Sequence, residues 1–364
     1  MPSKPTTMKH NASVDIKVDK APSSRIDSVD FENLKFGSIF SDHMMECDYK
    51  DGAWTPPVIR PYGKIELEPS AKVFHYGQAV FEGMKAFKDD NDQIWLFRPD
   101  ENFRRINLSS KRLAIPEIPE EYFFTGLEEL LKLDKAWIKK GFGNSLYIRP
   151  FVIATEAGVL ATPGSEYKFM IICSPAKSYY TGEVRVQISE KFSRAADGGV
   201  GAAKAAGNYG AQFYPTNLAK EAGFQQIIWT DASTHDFLEE AGTMNVFFRI
   251  NDTLVTAPTS DRILDGVTRK SILTLAEANG IEAEVRRVTV KEILEAAKNG
   301  TLKEIFGAGT AAVINPIQGF GYKGEKFELP EITDSYAAFF KDKLMKIQYN
   351  LAEDEFGWRY LVKE

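Results

Sequence analysis

The sequence contains few cysteines, and they are poorly placed for a disulfide framework. Cys47 and Cys173 are the two cysteines among 364 residues, and they lie far apart in the chain. Disulfide-stapled secreted domains carry closely spaced cysteines, so this usage fits a reducing compartment. Residues 1–20 mix lysine with aspartate and lack an apolar stretch, unlike a signal or transit peptide. We therefore expect a cytoplasmic protein.

Histidine is also scarce, and long apolar runs are absent. The 4 histidines are isolated and show no metal-ligand spacing such as HxxxH, so we expect no metal site. No run of roughly 18 apolar residues occurs, which argues against a transmembrane helix. The net charge of −6 disfavours a nucleic-acid surface. A P-loop is missing, and no GxGxxG both follows a strand and opens a helix, so nucleotide binding is disfavoured.

What the chain does have is the ordinary composition of a globular protein. It is 43% hydrophobic and 26% charged, and its 364 residues exceed most single cores, so we expect two domains. The polar stretch Pro175–Glu183 marks the connection between them. We predict a polar tail at 1–30, a small N-terminal domain at 31–178, a linker at 179–190 and a larger C-terminal domain at 191–364.

Short strands and helices alternate along both predicted domains. Apolar periodicity and turn residues predict the helices, and short β-rich apolar runs predict the strands. The resulting fold class is mixed, α+β or α/β. The predicted helices are Asn102–Leu113, Tyr122–Lys139, Val267–Ala278 and Val290–Lys298, and the predicted strands include Leu146–Thr155, Phe169–Ser174, Met244–Ile250, Thr253–Ala257, Glu304–Phe306 and Ala312–Ile317.

One lysine lies among unusually small residues. Lys204 follows Gly198-Gly199-Val200-Gly201-Ala202-Ala203 and precedes Ala205-Ala206-Gly207. Most lysines are solvated surface residues, yet this segment lacks the polar residues of a surface helix. Small neighbours leave room for a planar ligand, and an amine kept from water is a usable nucleophile for a Schiff base. Tyr209 adds a hydroxyl that suits a phenolate oxygen.

A carboxylate block follows downstream, at Glu240-Ala241-Gly242-Thr243-Met244-Asn245. A lone glutamate is usually a surface charge. Here we predict that Thr234–Ala241 is a loop leading directly into the buried strand Met244–Ile250. A carboxylate at that edge would keep a pyridine nitrogen protonated, which helps the ring withdraw electrons when a Cα–H bond breaks. The Lys204 and Glu240 blocks together predict a pyridoxal phosphate enzyme.

Two later turns are suited to bind a phosphate. Leu264-Asp265-Gly266-Val267-Thr268-Arg269 opens a predicted helix, whose first N–H groups and Thr268 hydroxyl face an anion. Phe306-Gly307-Ala308-Gly309-Thr310 offers a second hydroxyl after a strand. Such turns and caps are common individually. Two such turns downstream of a candidate Schiff-base lysine are a more specific indication of phosphate binding.

Two arginines are also candidates. Arg105 on its predicted helix would bind phosphate bidentately, although a surface salt bridge is the more frequent role of a helix arginine. Arg149 lies within an apolar strand, where a buried arginine needs an anionic partner that a dicarboxylate substrate would supply. Strand alternation places Tyr147 on the same face as Arg149.

These blocks together resemble the branched-chain aminotransferases of the fold-type-IV (class IV) pyridoxal phosphate family. The resemblance runs from about Phe31 to Tyr349 and includes Tyr76-Gly77-Gln78-Ala79-Val80-Phe81-Glu82-Gly83-Met84-Lys85-Ala86-Phe87, which is similar to the family's substrate-side signature. It implies a small N-terminal α/β domain and a larger cofactor-binding domain with a β-barrel-like sheet core surrounded by helices. It also implies a homodimer.

The resemblance implies a role for each candidate residue. Lys204 forms the Schiff base and shuttles a proton between substrate and cofactor, while Tyr209 contacts the ring oxygen and Glu240 the ring nitrogen. The other cofactor-binding residues are Arg105, Val267, Thr268 and Thr310 at the phosphate, Leu264 on the ring, and Arg194 and Thr243 nearby. The substrate-binding residues are Thr243 and Ala311 for the α-carboxylate, Tyr76, Phe81, Tyr147 and Tyr179 for the side chain, and Arg149 for the distal carboxylate of glutamate. The pocket wall near Val159–Ala161 is left unassigned.

The implied reaction moves the amino group of L-leucine, L-isoleucine or L-valine to 2-oxoglutarate. The products are branched 2-oxo acids and L-glutamate, and pyridoxal 5′-phosphate alternates with pyridoxamine phosphate. Alternatives of the same fold, a D-amino acid transaminase or an aminodeoxychorismate lyase, lack the full Tyr76–Phe87 block. A non-catalytic metabolite-binding protein would have lost a key group, whereas Lys204 and Glu240 are present. Where the mammalian branch has a CxxC pair, this chain has Ala311–Asn315, which excludes thiol regulation there.

Overall fold

The computed structural model of this protein describes residues 14–177 and 182–363. The chain forms two compact units, one from Met1–Tyr179 with Lys346–Glu364 and the other from Tyr180–Met345. The chain therefore passes between the units twice. The predicted ranges 31–178 and 191–364 remain predictions as domain limits, and the structure adds that Arg185–Ile188, inside the expected linker 179–190, is a strand of the second unit.

The first unit contains a ten-stranded sheet. Its longest pair joins two apolar strands antiparallel from Asn144↔Lys177 to Ala154↔Tyr167, around the predicted strands Leu146–Thr155 and Phe169–Ser174. The last strand of the chain pairs with Ile94–Phe97 at one edge, which explains why the C-terminal residues fold with this unit. The strands before the crossing are β1 (Lys17–Val18), β2 (His43–Lys50), β3 (Ala53–Trp54), β4 (Val58–Pro61), β5 (Ala79–Phe81), β6 (Met84–Lys88), β7 (Ile94–Phe97), β8 (Asn144–Ala154) and β9 (Tyr167–Lys177).

The second unit contains an eleven-stranded sheet with both parallel and antiparallel pairs. Its strands are β10 (Arg185–Ile188), β11 (Gln226–Thr230), β12 (Phe237–Ala241), β13 (Met244–Ile250), β14 (Thr253–Thr256), β15 (Ala283–Val285), β16 (Val288–Thr289), β17 (Leu302–Gly309), β18 (Val313–Ile317), β19 (Gly319–Tyr322) and β20 (Glu325–Glu328), and β21 (Arg359–Val362) closes the series in the first unit. The pairing order is β15-β14-β13-β12-β11-β10-β19-β20, with β16 on β12 and the β17–β18 hairpin on β13.

The predicted mixed fold with two sheets and helices is confirmed, but the expected barrel-like core does not close. At the two ends of the pairing order, β15 pairs with β14 and β20 pairs with β19. Among the described residues these two end strands do not pair with each other, so the sheet is open.

The helices follow the predicted pattern with one clear exception. α6 has its predicted bounds, and the Thr289 side chain accepts the Glu292 N–H at the start of α7, as a capping box requires. The predicted helix Tyr122–Lys139 instead ends at Leu133, because Asp134 turns inward and binds His43. The helices are α1 (Lys72–Tyr76), α2 (Pro99–Arg112), α3 (Glu120–Leu133), α4 (Gly207–Gly210), α5 (Phe213–Glu221), α6 (Val267–Ala278), α7 (Val290–Lys298) and α8 (Tyr336–Gln348).

The described ranges contain neither a membrane-spanning helix nor a metal-binding cluster. No helix there combines the length and the apolarity that a membrane span requires. Within residues 14–177 and 182–363, no group of three or more His, Cys, Asp or Glu side chains is arranged to hold a metal ion.

Candidate functional site

Lys204 is half-buried on the turn before α4, and its amine contacts a tyrosine hydroxyl. Lys204 Nζ lies 2.8 Å from Tyr209 Oη. The Asn208 side chain fixes the turn between them, because its amide donates to the carbonyls of Val200 at 2.8 Å and Ala203 at 2.9 Å. The small-residue segment is therefore held in place on the N-terminal side of the lysine, while the lysine amine faces the tyrosine.

The glycines before Lys204 allow two loops to pack closely. A Cβ on Gly201 would lie 2.6 Å from the Asp261 carbonyl oxygen and 2.7 Å from that of Arg262, distances that backbone atoms cannot tolerate. Ala202 donates its N–H to the same Asp261 oxygen at 2.9 Å. The lysine loop therefore lies directly against the loop that leads to Leu264 and α6.

Glu240 is buried on β12 and surrounded by donors. Its Oε1 accepts the Leu264 N–H at 2.8 Å and the Asn245 side-chain amide at 3.2 Å. Its Oε2 lies 2.8 Å from Arg194 Nε, a contact between charges that lacks the alignment of a hydrogen bond. Arg194 also donates to the Gly201 carbonyl at 2.9 Å, which links the carboxylate to the lysine loop. Both side chains are about 5% exposed or less, so the pair is screened little by water.

The predicted loop Thr234–Ala241 is wrong, because its second half forms β12. Two consecutive glutamates are unusual in a buried strand, but alternation sends them to opposite faces, and each meets an arginine. Glu240 meets Arg194, and Glu239 accepts a hydrogen bond from Arg262. Burial raises the pKa of Glu239 above its ordinary value, an effect that the Arg262 hydrogen bond partly offsets.

The start of α6 has no side-chain cap. Its N-cap is Gly266, which has no side chain to accept from the first-turn N–H groups. Those groups, on Val267 and Thr268, also lack intrahelical acceptors, which makes the helix start suited to an anion. A side chain at Gly266 would place a Cβ 1.9 Å from Asn245 Oδ1. The glycine thus lets the helix start approach the amide that contacts Glu240.

Two hairpin turns lie side by side at one edge of the second sheet. Thr243 lies in the β12–β13 turn, and Thr310 and Ala311 lie in the β17–β18 turn. β13 pairs with β17 so that Asn245 faces Ala308, which brings the ends of the two hairpins together. Thr243 and Ala311 are exposed residues of these two turns.

In the first unit, Arg105 is engaged by a carboxylate. Its Nε donates to Glu82 Oε1 at 2.6 Å and its Nη2 to Glu82 Oε2 at 2.8 Å. Asn102 donates to the same Oε2 at 2.7 Å. The Arg105 side chain is 6% exposed and that of Glu82 0%, so the more frequent surface role of a helix arginine does not apply. The predicted contact of Arg105 with a phosphate stays a prediction.

The Arg105–Glu82 pair is expected to contribute strongly to folding. Replacing Glu82 by glutamine removes the carboxylate from this buried pair, and breaking a buried pair in this way costs about 3 kcal/mol or more. The matched control is Glu328→Gln, whose partner Arg185 is on the surface, and such pairs contribute about 1 kcal/mol or less. Urea unfolding followed by circular dichroism measures both. Equal shifts of the two midpoints would contradict the expectation.

The predicted pocket side chains of the first unit are partly brought together. Arg149 Nη2 donates to Tyr147 Oη at 3.0 Å, which confirms that the two share a strand face. The Arg149 guanidinium carbon lies 4.6 Å from the centre of the Phe81 ring. Within residues 14–177 and 182–363 Arg149 forms no ion pair with a carboxylate, and its Nε has no hydrogen-bond partner. This arginine is therefore suited to an anionic ligand.

Tyr76 lies on α1, outside the strand that carries Tyr147 and Arg149, and Tyr179 lies outside the described residues. Tyr76 ends α1 with 43% of its surface exposed, and its hydroxyl donates to the Val159 carbonyl. The sequence reasoning missed Glu82 and Asn245 as residues that orient the site. Glu82 lies within the Tyr76–Phe87 block and Asn245 within the Glu240 block, and a buried arginine needs a carboxylate partner, but the sequence alone does not show that Arg105 is buried.

Comparisons with known proteins show the family of this chain. The family model described as "Amino-transferase class IV" matches residues 79–320. The chain is 42% identical over 334 residues to "Branched-chain-amino-acid aminotransferase 2" of Bacillus subtilis, covering 90% of this chain and 92% of that one. It is 43% identical over 344 residues to a "Probable branched-chain-amino-acid aminotransferase" of Staphylococcus aureus, covering 92% and 94%.

Solved structures show the same fold at lower identity. The branched-chain amino acid aminotransferase of Thermobaculum terrenum in its PLP form matches with a TM-score of 0.72 and 20% identity, over 88% of this chain and 98% of that one. The Escherichia coli branched-chain amino acid aminotransferase matches with a TM-score of 0.70 and 22% identity, over 87% and 99%.

Proposed function

Because this chain belongs to the class IV aminotransferase family, we propose that it is a branched-chain-amino-acid transaminase. It moves the amino group of L-leucine, L-isoleucine or L-valine to 2-oxoglutarate and forms the branched 2-oxo acid and L-glutamate. The observation that carries this proposal is the Lys204 amine, half-buried beside the Tyr209 hydroxyl at 2.8 Å, in the same unit as a buried Glu240. Curated relatives of that name match 90% of the chain.

The side chains of the second unit fit pyridoxal 5′-phosphate. When bound, this cofactor supplies an electron-withdrawing ring that stabilises negative charge at the substrate Cα. A buried carboxylate with a cationic neighbour, Glu240 beside Arg194, suits a protonated ring nitrogen. The uncapped start of α6, with Val267 and Thr268, suits the phosphate. The roles proposed for Thr310 at the phosphate, Leu264 on the ring and Arg105 in the first unit rest on the resemblance.

Lys204 performs two tasks in this proposal. Its amine would hold the cofactor, and the same amine, when free, would move a proton at the substrate Cα. Tyr209 orients that amine from 2.8 Å. Because the Lys204 loop is fixed against the Asp261 carbonyl, the amine returns to the same position in each half of the cycle.

The proposed substrate contacts follow from the two adjacent turns and from the first unit's strand face. The exposed backbone at Thr243 and Ala311 receives the α-carboxylate. In the first unit, Phe81 and Tyr147 supply apolar surface for the side chain, and Arg149, which has no carboxylate partner among the described residues, receives the distal carboxylate of glutamate.

Half-reaction assays test the proposal. The absorbance of the bound cofactor is followed after addition of L-leucine, L-isoleucine or L-valine, and then after 2-oxoglutarate. One methylene in an apolar pocket is worth about 1–3 kcal/mol, so we expect comparable use of the three amino acids. D-Alanine and aminodeoxychorismate serve as contrasts. A strong preference for D-alanine, or release of pyruvate from aminodeoxychorismate, would overturn the assignment.

We further propose that the enzyme is a cytoplasmic homodimer. Both cysteines are free and buried, which fits a reducing compartment. The first unit exposes apolar side chains at Phe74, Val159 and Leu160, between 62% and 72% of their surface, which a second copy would cover. Light scattering on the purified protein distinguishes a dimer from a monomer of 40.8 kDa.

A further inference from the structure

Lys72, a residue without a role in the proposed reaction, has a deeply buried ammonium group. It is the first residue of α1, and 2% of its side chain is exposed. Burying an ammonium is costly unless hydrogen bonds and countercharge replace the lost water. The partners of this group therefore indicate what the lysine does.

All of those partners belong to one loop, residues 155–166, which joins β8 to β9. Lys72 Nζ lies 2.8 Å from Thr162 Oγ1, 3.2 Å from the Thr162 carbonyl oxygen and 3.1 Å from that of Pro163. The Glu156 carboxylate lies 3.1 Å away and supplies the countercharge. A lysine ammonium has three N–H donors, and the oxygens of this loop are sufficient to accept from all three donors of Lys72.

The 155–166 loop is also held at Gly164, whose N–H donates to Gln78 Oε1 at 3.0 Å and whose carbonyl accepts from Tyr167 Oη at 2.6 Å. At the tip, Val159 is 68% exposed and Leu160 72% within one chain, so these two side chains bury little apolar surface there. The N-terminal side of the loop is tied by backbone bonds to the same short segment, from Lys72 N–H to the Glu156 carbonyl and from Gly158 N–H to the Ser70 carbonyl. The segment around α1 thus controls the position of the loop.

The same helix also contacts the loop near the predicted pocket. Tyr76 lies four residues after Lys72, on the same face of α1, and its hydroxyl donates to the Val159 carbonyl. α1 therefore holds the loop at two points, through an ammonium at its first residue and a phenol at its last. Loss of the Lys72 ammonium contact frees the loop to move relative to the Tyr76 hydroxyl.

We propose that Lys72 is a positioning residue that fixes the 155–166 loop against Tyr76 and thereby sets how tightly aliphatic side chains are bound. The inference rests on the proposed function, because it takes Tyr76 as a wall of the side-chain pocket. The contacts of the Lys72 ammonium given above all lie within the first unit. Loss of this ammonium acts on substrate binding and leaves the chemical step intact.

The test is Lys72→Met, which keeps the buried stem and removes the ammonium. We expect KM for L-leucine to rise about tenfold, equivalent to about 1.4 kcal/mol of binding, with kcat nearly unchanged. We also expect faster proteolysis within residues 157–163 and an unaltered cofactor spectrum. The matched control is Lys50→Met, because Lys50 pairs with Glu166 of the same loop at 3.3 Å but is 62% exposed. This control should keep both the KM and the proteolysis rate.

Thr162→Val serves as a second variant, since it removes the 2.8 Å acceptor from an exposed residue and cannot disturb the core. It should change KM and proteolysis in the same direction by a smaller factor, even if Lys72→Met fails to fold. An active wild type whose Lys72→Met or Thr162→Val variant keeps the wild-type KM and proteolysis rate would overturn the role of Lys72 alone. A wild type inactive on all three branched amino acids would overturn the proposed function and this inference with it.

Discussion

Replacing Lys204 by alanine is expected to remove the visible absorbance of bound pyridoxal phosphate and to slow amino transfer by at least about 1,000-fold. The alanine can neither attach the cofactor nor move a proton at the substrate Cα. Tyr209, 2.8 Å from the wild-type amine, remains in place, but a phenol does not replace a primary amine as a nucleophile. Absorbance spectra and single-turnover half-reactions with L-leucine measure the two losses.

The matched control is Lys220→Ala, an exposed lysine on α5 of the same unit. It should keep the spectrum and the half-reaction rate. Circular dichroism verifies that both variants fold, which is expected because the Lys204 amine contacts the side chain of Tyr209. A Lys204→Ala protein that turns over L-leucine at a near-normal rate would disprove the assignment of the lysine.

The sequence predicted those elements whose signals are local. α6 begins after Gly266 and ends before Asn279-Gly280, and these residues alone set its limits. The capping box of α7 is equally local, since Thr289 and Glu292 lie within one turn. Neither element depends on a distant part of the chain, so apolar periodicity and the residues at the helix ends were sufficient to predict both.

The failures come from contacts between distant residues. β12 reads as a loop because it contains two glutamates, and it forms a strand because Arg194 and Arg262 neutralise them from 46 and 23 residues away. α3 ends early because Asp134 binds His43, 91 residues away in the chain. A charged residue can lie in a buried strand when it has a partner of opposite charge. That partner is distant in the chain, so the residues next to the charge do not reveal it.

The candidate site shows the same difference between features with local sequence signals and features that depend on distant residues. The Lys204 and Glu240 blocks were identified from their own residues, and the structure links them through Arg194 and the Gly201 carbonyl. The pairing of Arg105 with Glu82 was not foreseen, because neither residue alone indicates that both would be buried. Lys72 gave no signal at all, since a single lysine beside apolar residues resembles the solvated lysines of any surface.

Glu240→Gln is the second substitution with a large expected effect. Glutamine keeps the size of the side chain and an oxygen for the Leu264 N–H, but it cannot hold a ring nitrogen protonated. We expect kcat to fall by about 100-fold or more, the range seen when one preorganised electrostatic group is removed from a reaction centre. Half-reaction rates with L-leucine, measured at saturating cofactor, isolate this effect from weaker cofactor binding.

Glu239→Gln is the informative control, because Glu239 precedes Glu240 on β12 and faces the opposite side. Both carboxylates are 3% exposed and both meet an arginine, so both substitutions disturb a buried ion pair. Burial raises the pKa of Glu239 above its ordinary value, and the Arg262 hydrogen bond partly offsets this effect. We expect Glu239→Gln to lower the melting temperature and to keep kcat within about threefold, or about 0.7 kcal/mol. If the two variants slowed the half-reaction equally, the loss would come from the packing of β12, and the role of Glu240 at the ring nitrogen would be wrong.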